Sequence, residues 1–489
     1  MRVPPDKTPY NTTGPFGHFS TYSVESRDRV RCINGATNVP MSTQWDPKPY
    51  YYPIQIAQYG LQHYSKWLEN QQENHQIILG EKSSDWKGAA GMSDTTERLF
   101  YTDAESGWKI VNISAEENLS NAGAYIYLDK NESLPIVEFE WRPNDENSSF
   151  TILAKHKQDD LLILLNYQFH DDSGGGKCVW PDDGDVADLH PQKDGQVSFS
   201  FSMDPEIVSK WDFVSRNVLV DVARALSSTQ GRKKTDNVVL RNGDIRLVSL
   251  GFRGKVSLRQ EVRQSANQHK FAFEAAANWL VKNQNEKGGW SVPVERSIAD
   301  RKLVLAPGWH SAMAQGHAIS LLSRANFVFP ENLKYLEAAK KALQLFEVPS
   351  SSGGIRAEFH GKIAWFEEYP TQPGSFVLNG FLYSLIGLFD LSTLDSKSLE
   401  LYKSGISSLR QLLPFYDTGT GTIYDLRHVF LMNVAPNLAR WDYHAVHVYL
   451  LKWIAQIEKS RGEFENFELF NKTAERWIGY ANGKRAKHN

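Results

Sequence analysis

Cysteine is scarce in this chain, whose 489 residues include only two, Cys32 and Cys178. Two cysteines are too few for a disulfide framework and fit no metal-binding spacing, so they allow either one bridge or two buried thiols. The sequence also lacks a long apolar run and shows no signal-peptide core at its N-terminus. We therefore expect the chain as it stands to be soluble.

An excess of one charge is missing as well. The chain has 54 Lys and Arg residues and 57 Asp and Glu residues, which gives a formal net charge of -3. No global positive field therefore attracts nucleic acid, and a polyanion would need a local basic patch. Apolar residues make up 41% of the chain, which is enough for real cores. The length predicts roughly two to four domains.

Several common catalytic signatures are absent. The sequence contains no Gly-x-Ser-x-Gly motif, which argues against covalent hydrolysis, and no internal repeat is visible. The glycine-rich stretches at 174–176 and 419–421 lack the lysine of a phosphate-binding loop, so we interpret them as turns. Four histidines are spaced as on helices: His310, His317, His444 and His447. No further ligand with the spacing of a metal site accompanies them, which is more typical of histidines in a core.

Aromatic residues are abundant, at 12% with 14 Trp and 20 Tyr, and they suit surfaces that stack on sugars. Six Asn-x-Ser/Thr sequons occur, at Asn11, Asn112, Asn118, Asn131, Asn147 and Asn471. The cluster between 112 and 149 favours a glycosylated protein of the secretory pathway, although chance sequons in a Ser-rich chain would also explain it. In the first case, an anchor or signal has been removed from this sequence.

The patterning predicts a multidomain protein of α and β structure. Residues 1–66 are predicted to form an N-terminal β-hairpin arm, because the strand-like stretch 22–31 precedes the turn Asn34-Gly35. Residues 67–258 alternate with period two, which predicts a mostly antiparallel β-barrel or sandwich. Its predicted strands include Ile136–Trp141, Leu161–Tyr167, Val197–Phe201 and Val218–Val222, with a turn at 171–176.

Residues 259–489 change to helical spacing. Apolar residues recur every three or four positions, which predicts antiparallel helix pairs and favours an α/α barrel with its loops at one mouth. The predicted helices are Phe271–Gln284, Trp309–Ala325, Glu331–Glu347, Phe376–Leu391, Ser396–Leu413 and Tyr443–Glu458.

Groups that could carry chemistry are densest between residues 365 and 449. Carboxylates, phenols, guanidinium and imidazole groups lie there beside turn residues, and such groups are expensive to bury without a purpose. The alternative is structural, since tyrosines at helix starts often hydrogen-bond to loops. The adjacent carboxylates Glu367 and Glu368 point in different directions if the chain is extended, so they do not by themselves make a glycosidase pair.

Nine stretches of the chain form recognisable motifs: 42–45, 52–60, 283–290, 307–316, 367–370, 375–380, 421–428, 435–444 and the C-terminal 485–489. Together they resemble the D-glucuronyl C5-epimerase family of heparan sulfate biosynthesis. The resemblance covers nearly the whole chain and is weakest over roughly 70–255.

This resemblance implies an isomerase that inverts glucuronate to iduronate within N-sulfated heparosan, in the biosynthesis of the glycosaminoglycans heparan sulfate and heparin. It also implies a glycoprotein of the Golgi lumen, a type II membrane protein whose anchor this sequence lacks. The implied partners are the polysaccharide, a second copy in a homodimer and other heparan-modifying enzymes, with no nucleic acid. The implied build is a hairpin arm, a β-barrel and a helical domain.

The chemistry sets its own requirements. The proton on C5 is α to a carboxylate, so its removal needs groups that neutralise the developing enediolate. Inversion needs one acid/base group on each face of the ring. A tyrosine in that role should have a cation beside it, because its ordinary pKa of about 10 makes it a poor base. No cofactor is expected for catalysis.

The resemblance implies the site residues. Glu368, Tyr369, Tyr424 and Tyr443 match the catalytic group, and our hypothesis makes Glu368 and Tyr443 the opposed bases, with Tyr369 and Tyr424 donating to the carboxylate and enediolate. The implied substrate contacts are Tyr22, Glu25, Arg27, Asp28, Arg29, Gln44, Tyr52, Gln55, Asn379, Tyr383, Arg427, Asn437, Arg440 and His444. Ser23 departs from an asparagine common in the family. The implied ligands of a structural Ca²⁺ are Glu81, Thr102 and Asp103.

Two other functions stay open from the sequence. A polysaccharide lyase begins with the same proton abstraction and also favours helical toroids with a catalytic tyrosine. A heparan-binding lectin would bind the polymer without turnover. An unsaturated product would identify the lyase, and solvent tritium exchange into the polymer would exclude the lectin.

Overall fold

A computed structural model describes residues 9–70, 74–88, 96–114, 123–169, 178–181, 195–229 and 237–486. The chain divides into two compact units. The helical unit comprises Met1–Tyr22, Tyr51–Asn70 and Phe273–Asn489, and the β unit comprises Ser23–Tyr50 and Gln71–Ala272. The boundaries at residues 66 and 258 stay predictions.

The helical unit is built around helix α7, Leu378–Leu391, which is apolar on nearly every side and buried along almost its whole length. It contacts helices α4, α8 and α9. A helix that is apolar all round is stable only when other elements enclose it. The remaining helices of the chain are α1 (Pro53–Glu69), α2 (Val218–Thr229), α3 (His269–Lys282), α4 (Ala312–Val328), α5 (Lys334–Lys341), α6 (Gln344–Glu347), α8 (Ser396–Leu412), α9 (Trp441–Ser460) and α10 (Phe464–Ala481).

Helices are present where they were predicted in residues 259–489, but most begin or end at other residues than predicted. The predicted helix Glu331–Glu347 is divided into α5 and α6. Helix α8 begins at the predicted residue because the Asp395 side chain accepts a hydrogen bond from the Ser398 backbone and caps the helix. Closure of the helices into an α/α barrel stays a prediction.

Three short hairpins connect the helices of this unit. They pair β17 (Arg296–Ile298) with β18 (Leu303–Leu305), β19 (Arg356–Phe359) with β20 (Ile363–Phe366), and β21 (Ile423–Asp425) with β22 (Asn437–Leu438). Each contains residues of the site described below or directly precedes them.

The β unit contains two sheets whose inner faces share one aromatic core. The larger sheet has the order β12-β13-β11-β10-β15-β8-β5, and the other has the order β14-β9-β16-β7-β6 with β4 on β16. Phe139 and Trp141 of β9 pack edge to face on Phe150 of β10, with ring centroids 5.0 and 5.3 Å apart. The strands are β4 (His75–Leu79), β5 (Trp86–Gly88), β6 (Glu97–Thr102), β7 (Lys109–Ser114), β8 (Ala124–Tyr127), β9 (Ile136–Pro143), β10 (Ser149–His156), β11 (Leu162–Phe169), β12 (Trp180–Pro181), β13 (Gln196–Met203), β14 (Asp212–Asn217), β15 (Ile245–Arg253) and β16 (Lys255–Ser265).

Of the two predicted alternatives, a barrel or a sandwich, the sandwich is confirmed. The described strands form no closed barrel, so the β-barrel that the resemblance implied is not found among them. Pairing is antiparallel except between β11 and β13, which run parallel. Parallel neighbours need a long connection, and residues 170–195 separate these two strands. The turn predicted at 171–176 lies outside the described residues.

One strand prediction in this region is wrong. Val218–Val222 begins helix α2, whose first turn is closed by the Asn217 side chain accepting a hydrogen bond from the Val220 backbone. A short run rich in β-branched residues does not distinguish strand from helix. The buried ion pair of Arg216 with Asp221, 2.7 Å, decides for the helix because it places Asp221 in the first turn.

The predicted hairpin turn is present, but the predicted strand 22–31 is mostly wrong. Val24–Ser26 form a short 3-10 helix, and strand begins only at Val30. Strand β1 (Val30–Ile33) pairs with β2 (Pro40–Ser42), and β3 (Tyr50–Tyr51) completes a three-stranded sheet. Residues 53–66 are helical, because α1 begins at Pro53, a residue preorganised for the first turn. Cys32 and Cys178 form a disulfide, which decides between the two alternatives for these cysteines.

No helix within the described part of the chain is long and apolar enough to cross a membrane.

A buried ion pair holds the N-terminal segment on the helical unit. Arg324 of α4 lies 2.6 Å from Asp390 of α7, and both side chains are fully buried. The Tyr10 hydroxyl donates to Asp390 at 2.8 Å, and Arg324 donates to the backbone carbonyls of Asn11 and Gly14.

We expect Asp390→Asn to lower the free energy of unfolding by about 3 kcal/mol, because it leaves the Arg324 charge buried without a counter-charge. Chemical denaturation followed by circular dichroism measures the change. Glu468→Gln is the control, since it removes the exposed partner of Lys472 and should have little effect. A loss no larger than that of the control would contradict the role of the buried pair.

Candidate active site

Three segments of the helical unit carry the four candidate catalytic residues. Glu368 and Tyr369 follow strand β20, Tyr424 lies in β21, and Tyr443 lies in the first turn of α9. The start of α7 is held against β21 by a backbone hydrogen bond from Leu426 to Ser375 (3.0 Å) and by a bridge between Val377 and Asp425.

The Glu368 carboxylate is nearly inaccessible to solvent, with 4% of the residue exposed. Its Oε2 accepts a hydrogen bond from Asn379 Nδ2 at 3.1 Å. Burial raises the pKa of Glu368 to about 7, while a hydrogen bond from Tyr369, the charge of Arg296 and the Asn379 amide act in the opposite direction. A carboxylate with a pKa near neutrality can both accept and return a proton at the pH of most cells.

Helix α7 approaches this carboxylate closely at Gly380. A Cβ atom on that residue would lie 2.5 Å from both the Cβ and the Oε2 of Glu368. Only glycine therefore fits here, because any side chain would displace the carboxylate.

The three candidate tyrosines, Tyr369, Tyr424 and Tyr443, form a group with Glu368. The rings of Tyr424 and Tyr443 meet edge to face, with centroids 4.9 Å apart. Burial and then the Glu368 charge raise the pKa of Tyr369 and of Tyr424 well above its ordinary value. These two phenols therefore stay protonated and are suited to donate hydrogen bonds to an oxygen that becomes negative.

Glu367 has different hydrogen-bond partners from the adjacent Glu368. It is fully buried, and its carboxylate accepts hydrogen bonds from the Phe376 backbone (3.0 Å) and the Ser375 hydroxyl (3.0 Å). Burial raises the pKa of Glu367 to about 8. The two adjacent carboxylates have separate partners, as expected for neighbours in an extended segment.

Arg296 of strand β17 is a residue that the sequence analysis missed. Its guanidinium carbon lies 5.5 Å from the centroid of the Tyr369 ring, and its charge lowers the pKa of both Glu368 and Tyr369. It places a positive charge near the Glu368 carboxylate and the neighbouring Tyr369 phenol. No local motif marks it, because it is remote in sequence from residues 365–449.

Asp425 organises two predicted substrate contacts. Its carboxylate accepts a hydrogen bond from Asn437 Nδ2 at 2.7 Å, and Arg427 Nε lies 3.3 Å from it. Burial raises the pKa of Asp425, while Asn437 and Arg427 act in the opposite direction. Arg440 is mostly exposed, pairs with Asp442 at 2.9 Å and lies 5.8 Å from the centroid of the Tyr443 ring.

A second group of hydroxyls involves Tyr22 and Tyr383. Both phenols contact the Tyr449 hydroxyl, at 3.3 and 2.7 Å. Tyr449 was not predicted, although it lies six residues after Tyr443 on the same helix. Burial raises the pKa of Tyr449, so the hydroxyl of this linking residue stays protonated.

Two predicted contacts have amide oxygens without a partner. Gln55 Oε1 and Asn379 Oδ1 are buried and accept no hydrogen bond from the described residues. Such buried acceptors are costly unless a ligand or water satisfies them. Tyr52 lies near the catalytic group, since its phenol contributes to the raised pKa of Tyr369.

The remaining predicted contacts divide between the units. Glu25, Arg27, Asp28, Arg29 and Gln44 belong to the β unit, and their part in substrate binding stays a prediction. His444 is buried in the helical unit, and both of its ring nitrogens have protein partners, Thr422 Oγ1 and the Trp477 carbonyl.

The predicted calcium ligands Glu81, Thr102 and Asp103 lie in the β unit, where the two carboxylates have protein partners. Glu81 pairs with Lys109 at 2.9 Å, and Asp103 Oδ2 accepts hydrogen bonds from the backbone and hydroxyl of Ser106. Within the described residues, no group of three or more His, Cys, Asp or Glu could hold a metal ion. This arrangement does not by itself make a calcium site, and the ion stays a prediction.

Comparison with known proteins decides the family. Residues 284–479 match the D-glucuronyl C5-epimerase C-terminus, and residues 107–255 match the β-sandwich domain of D-glucuronyl C5-epimerase. The chain is 61% identical over 511 aligned positions to the D-glucuronyl C5-epimerase of Caenorhabditis elegans, covering 99% of this chain and 81% of that protein. The chain belongs to the D-glucuronyl C5-epimerase family.

Other similarities to the chain are partial. An uncharacterised protein of Methanocaldococcus jannaschii is 35% identical over 126 residues, which is 25% of this chain and 41% of that protein. A family 11 carbohydrate-binding module of Clostridium thermocellum is 10% identical, covers 40% of this chain and 98% of its own, and has a TM-score of 0.21. That value is too low to support an argument, so the placement in the C5-epimerase family rests on the sequence matches.

We expect the carboxyl of Glu368 to titrate near pH 7. Removal of the Asn379 amide in Asn379→Ala should move this titration to higher pH, because the lost hydrogen bond favours the charged form. Carbon-13 NMR of protein labelled at the Glu carboxyls measures both values. Glu368→Gln assigns the resonance and Glu367→Gln is the control. A Glu368 resonance that titrates in the ordinary range of exposed glutamates would contradict the burial argument.

Proposed function

We propose that this chain inverts C5 of D-glucuronate to L-iduronate within N-sulfated heparosan, through proton abstraction from one face and proton delivery to the other. As a member of the D-glucuronyl C5-epimerase family, the chain is an isomerase of the epimerase class acting on a uronate. The observation that carries the mechanism is the buried Glu368, whose pKa lies near 7.

The first step needs a base that is ionised at neutral pH yet strong enough to remove a proton from carbon. An exposed glutamate has an ordinary pKa of about 4.3 and is too weak a base. Desolvation of Glu368 strengthens it, and the Asn379 hydrogen bond orients Oε2. Glu368 is therefore the base on one face of the ring.

The opposite face needs a second proton carrier, and Tyr443 supplies it. Tyr443 lies against Tyr424, and the Arg440 guanidinium near its ring supplies the cation expected beside a phenol of this kind. The proton delivered to C5 comes from the Tyr443 hydroxyl and not from the substrate. Because hydroxyl protons exchange with water, the product carries a proton from solvent.

The developing enediolate must be neutralised by groups already in place. Tyr369 and Tyr424 are protonated phenols that can donate to the substrate carboxylate, and Arg296 adds positive charge beside Tyr369. Preorganised donors in a site without water stabilise such charge strongly. An enediolate held in this way requires neither nicotinamide nor a metal, so no cofactor is proposed for catalysis.

Substrate binding is assigned to arginines, because the polymer is dense in sulfates and carboxylates while the chain carries a net charge of -3. Arginine holds anionic oxygens through two parallel hydrogen bonds. The proposed sulfate and carboxylate contacts are Arg27, Arg29, Arg427 and Arg440. The unpaired oxygens of Gln55 and Asn379 are proposed to accept hydrogen bonds from sugar hydroxyls.

The proposed location is the Golgi lumen, with a homodimer anchored as a type II membrane protein in its full-length form and with other heparan-modifying enzymes as partners. The Cys32–Cys178 disulfide supports an oxidising compartment. Asn11, Asn131 and Asn147 are exposed, as glycosylation sites must be, whereas Asn112 lies in strand β7 and Asn118 lies outside the described residues.

We expect Tyr443→Phe to lower the rate of inversion by at least about 100-fold, since general acid/base catalysis contributes on that scale. Tritium uptake from solvent into non-epimerised, N-sulfated polymer measures the rate. Tyr335→Phe is the matched control, because it removes a buried phenol that donates to Asn278 outside the catalytic group.

Retention of more than half the wild-type rate in Tyr443→Phe would show that Tyr443 is not the second base. An unsaturated product, detected by its ultraviolet absorbance, would identify the wild-type protein as a lyase that abstracts the same proton. Binding without tritium uptake would identify it as a lectin.

Replacement of different arginines should change different kinetic constants. Arg27 and Arg29 converted together to Ala should chiefly raise KM, whereas Arg440→Ala should chiefly lower kcat. Each lost charged contact should cost about 1.5 to 3 kcal/mol, and added salt should weaken binding steeply. Steady-state kinetics on long polymer measures the difference. An unchanged KM in the double variant at physiological salt would show that the arm does not hold substrate.

A further inference from the structure

Thr422, His444 and His447 form a small polar cluster next to Tyr424 and Tyr443. The Thr422 hydroxyl lies between two imidazoles, 3.0 Å from His444 Nδ1 and 2.9 Å from His447 Nδ1. His444 Nε2 lies 2.9 Å from the Trp477 carbonyl of helix α10. All three side chains are buried, and His447 is fully inaccessible to solvent.

The partners determine where the protons are. A carbonyl only accepts, so His444 Nε2 carries a proton and donates it to Trp477. In neutral His444, Nδ1 is then an acceptor and receives the one proton of the Thr422 hydroxyl. His447 Nδ1 must therefore donate to Thr422 Oγ1, which leaves His447 Nε2 without a proton. That nitrogen is buried and has no hydrogen-bond partner within the described residues.

Burial keeps both rings neutral. It lowers the pKa of His444, and together with the charge of His444 it lowers the pKa of His447 to about 3. A charged imidazole beside Tyr424 would favour the phenolate, and this phenol could then no longer donate to the enediolate.

The cluster joins the two elements that carry catalytic tyrosines. Thr422 precedes Tyr424 by two residues at the start of strand β21, and His444 and His447 follow Tyr443 on helix α9. His447 lies one helical turn beyond Tyr443, on the same face. Its ring stacks toward Tyr424, with centroids 6.4 Å apart.

We propose that Thr422, His444 and His447 form a neutral hydrogen-bonded clamp that fixes Tyr424 relative to Tyr443 and so positions both phenols for inversion at C5. These three are positioning residues that act through the tyrosines. The proposal rests on the function proposed above. It assigns a role to Thr422 and His447, for which the sequence analysis found none, and it makes His444 a support of Tyr443.

Thr422→Val and Thr422→Ser form a matched pair of variants. Valine keeps the shape but removes the hydroxyl, and serine keeps the hydroxyl. We expect Thr422→Val to lower kcat by about 10-fold or more with KM changed less than about 3-fold, because small misplacements of reacting groups are costly. Thr422→Ser should keep kcat within about 3-fold of wild type by the same argument. Equal kcat values in the two variants would overturn the clamp.

A second pair tests the direction of the hydrogen bonds. An asparagine amide reaches the position of Nδ1, whereas a glutamine amide reaches that of Nε2, so His447→Asn should keep more of kcat than His447→Gln. The reverse order would contradict the proposed donor at Nδ1.

A measurement on the wild-type protein is independent of activity and of whether any variant folds. Two-bond proton–nitrogen correlation NMR of histidine-labelled protein should show His444 protonated at Nε2 and His447 protonated at Nδ1, both neutral at pH 7. Other tautomers or a charged ring would overturn the clamp. If wild-type protein takes up no tritium from solvent but has these tautomers, the proposed function fails while the clamp geometry stands.

Discussion

The helical unit depends on burying helix α7, which is apolar around nearly its whole circumference. Enclosure by α4, α8 and α9 places the two ends of this helix in dry surroundings. Its first turn presents Asn379 to Glu368, and its last turn presents Asp390 to Arg324. One hydrophobic constraint therefore orients the carboxylate of Glu368, the proposed base, at one end and anchors the N-terminal segment at the other.

Desolvation also determines the chemistry of the site. The same burial that strengthens Glu368 as a base keeps Tyr369 and Tyr424 protonated, because it penalises the charged form of every group. Acid, base and hydrogen-bond donors can therefore coexist within one small site near neutral pH. The cation Arg296 and the Asn379 amide offset part of the burial cost where negative charge must reside.

Side-chain contacts between neighbouring elements hold this group together. Asp425 holds Asn437 and Arg427 across the β21–β22 hairpin. Asp417, just before β21, accepts hydrogen bonds from Trp477 and Tyr480 of α10, so that this hairpin is attached to the last helix. Such contacts explain why a helix without any catalytic residue contributes to the geometry of Tyr424 and Tyr443.

The sequence by itself determined the helical character of residues 259–489, the alternating strands of the β unit and the dense segment of candidate site residues at 365–449, because apolar periodicity and local motifs are properties of neighbouring residues. Only the tertiary structure decided that Val218 begins a helix, that the β unit is a sandwich, and that Cys32 bonds Cys178. It alone revealed Arg296 and Thr422 beside the tyrosines. Burial, pKa and contacts between distant residues arise when the chain folds back on itself, and no local pattern records them.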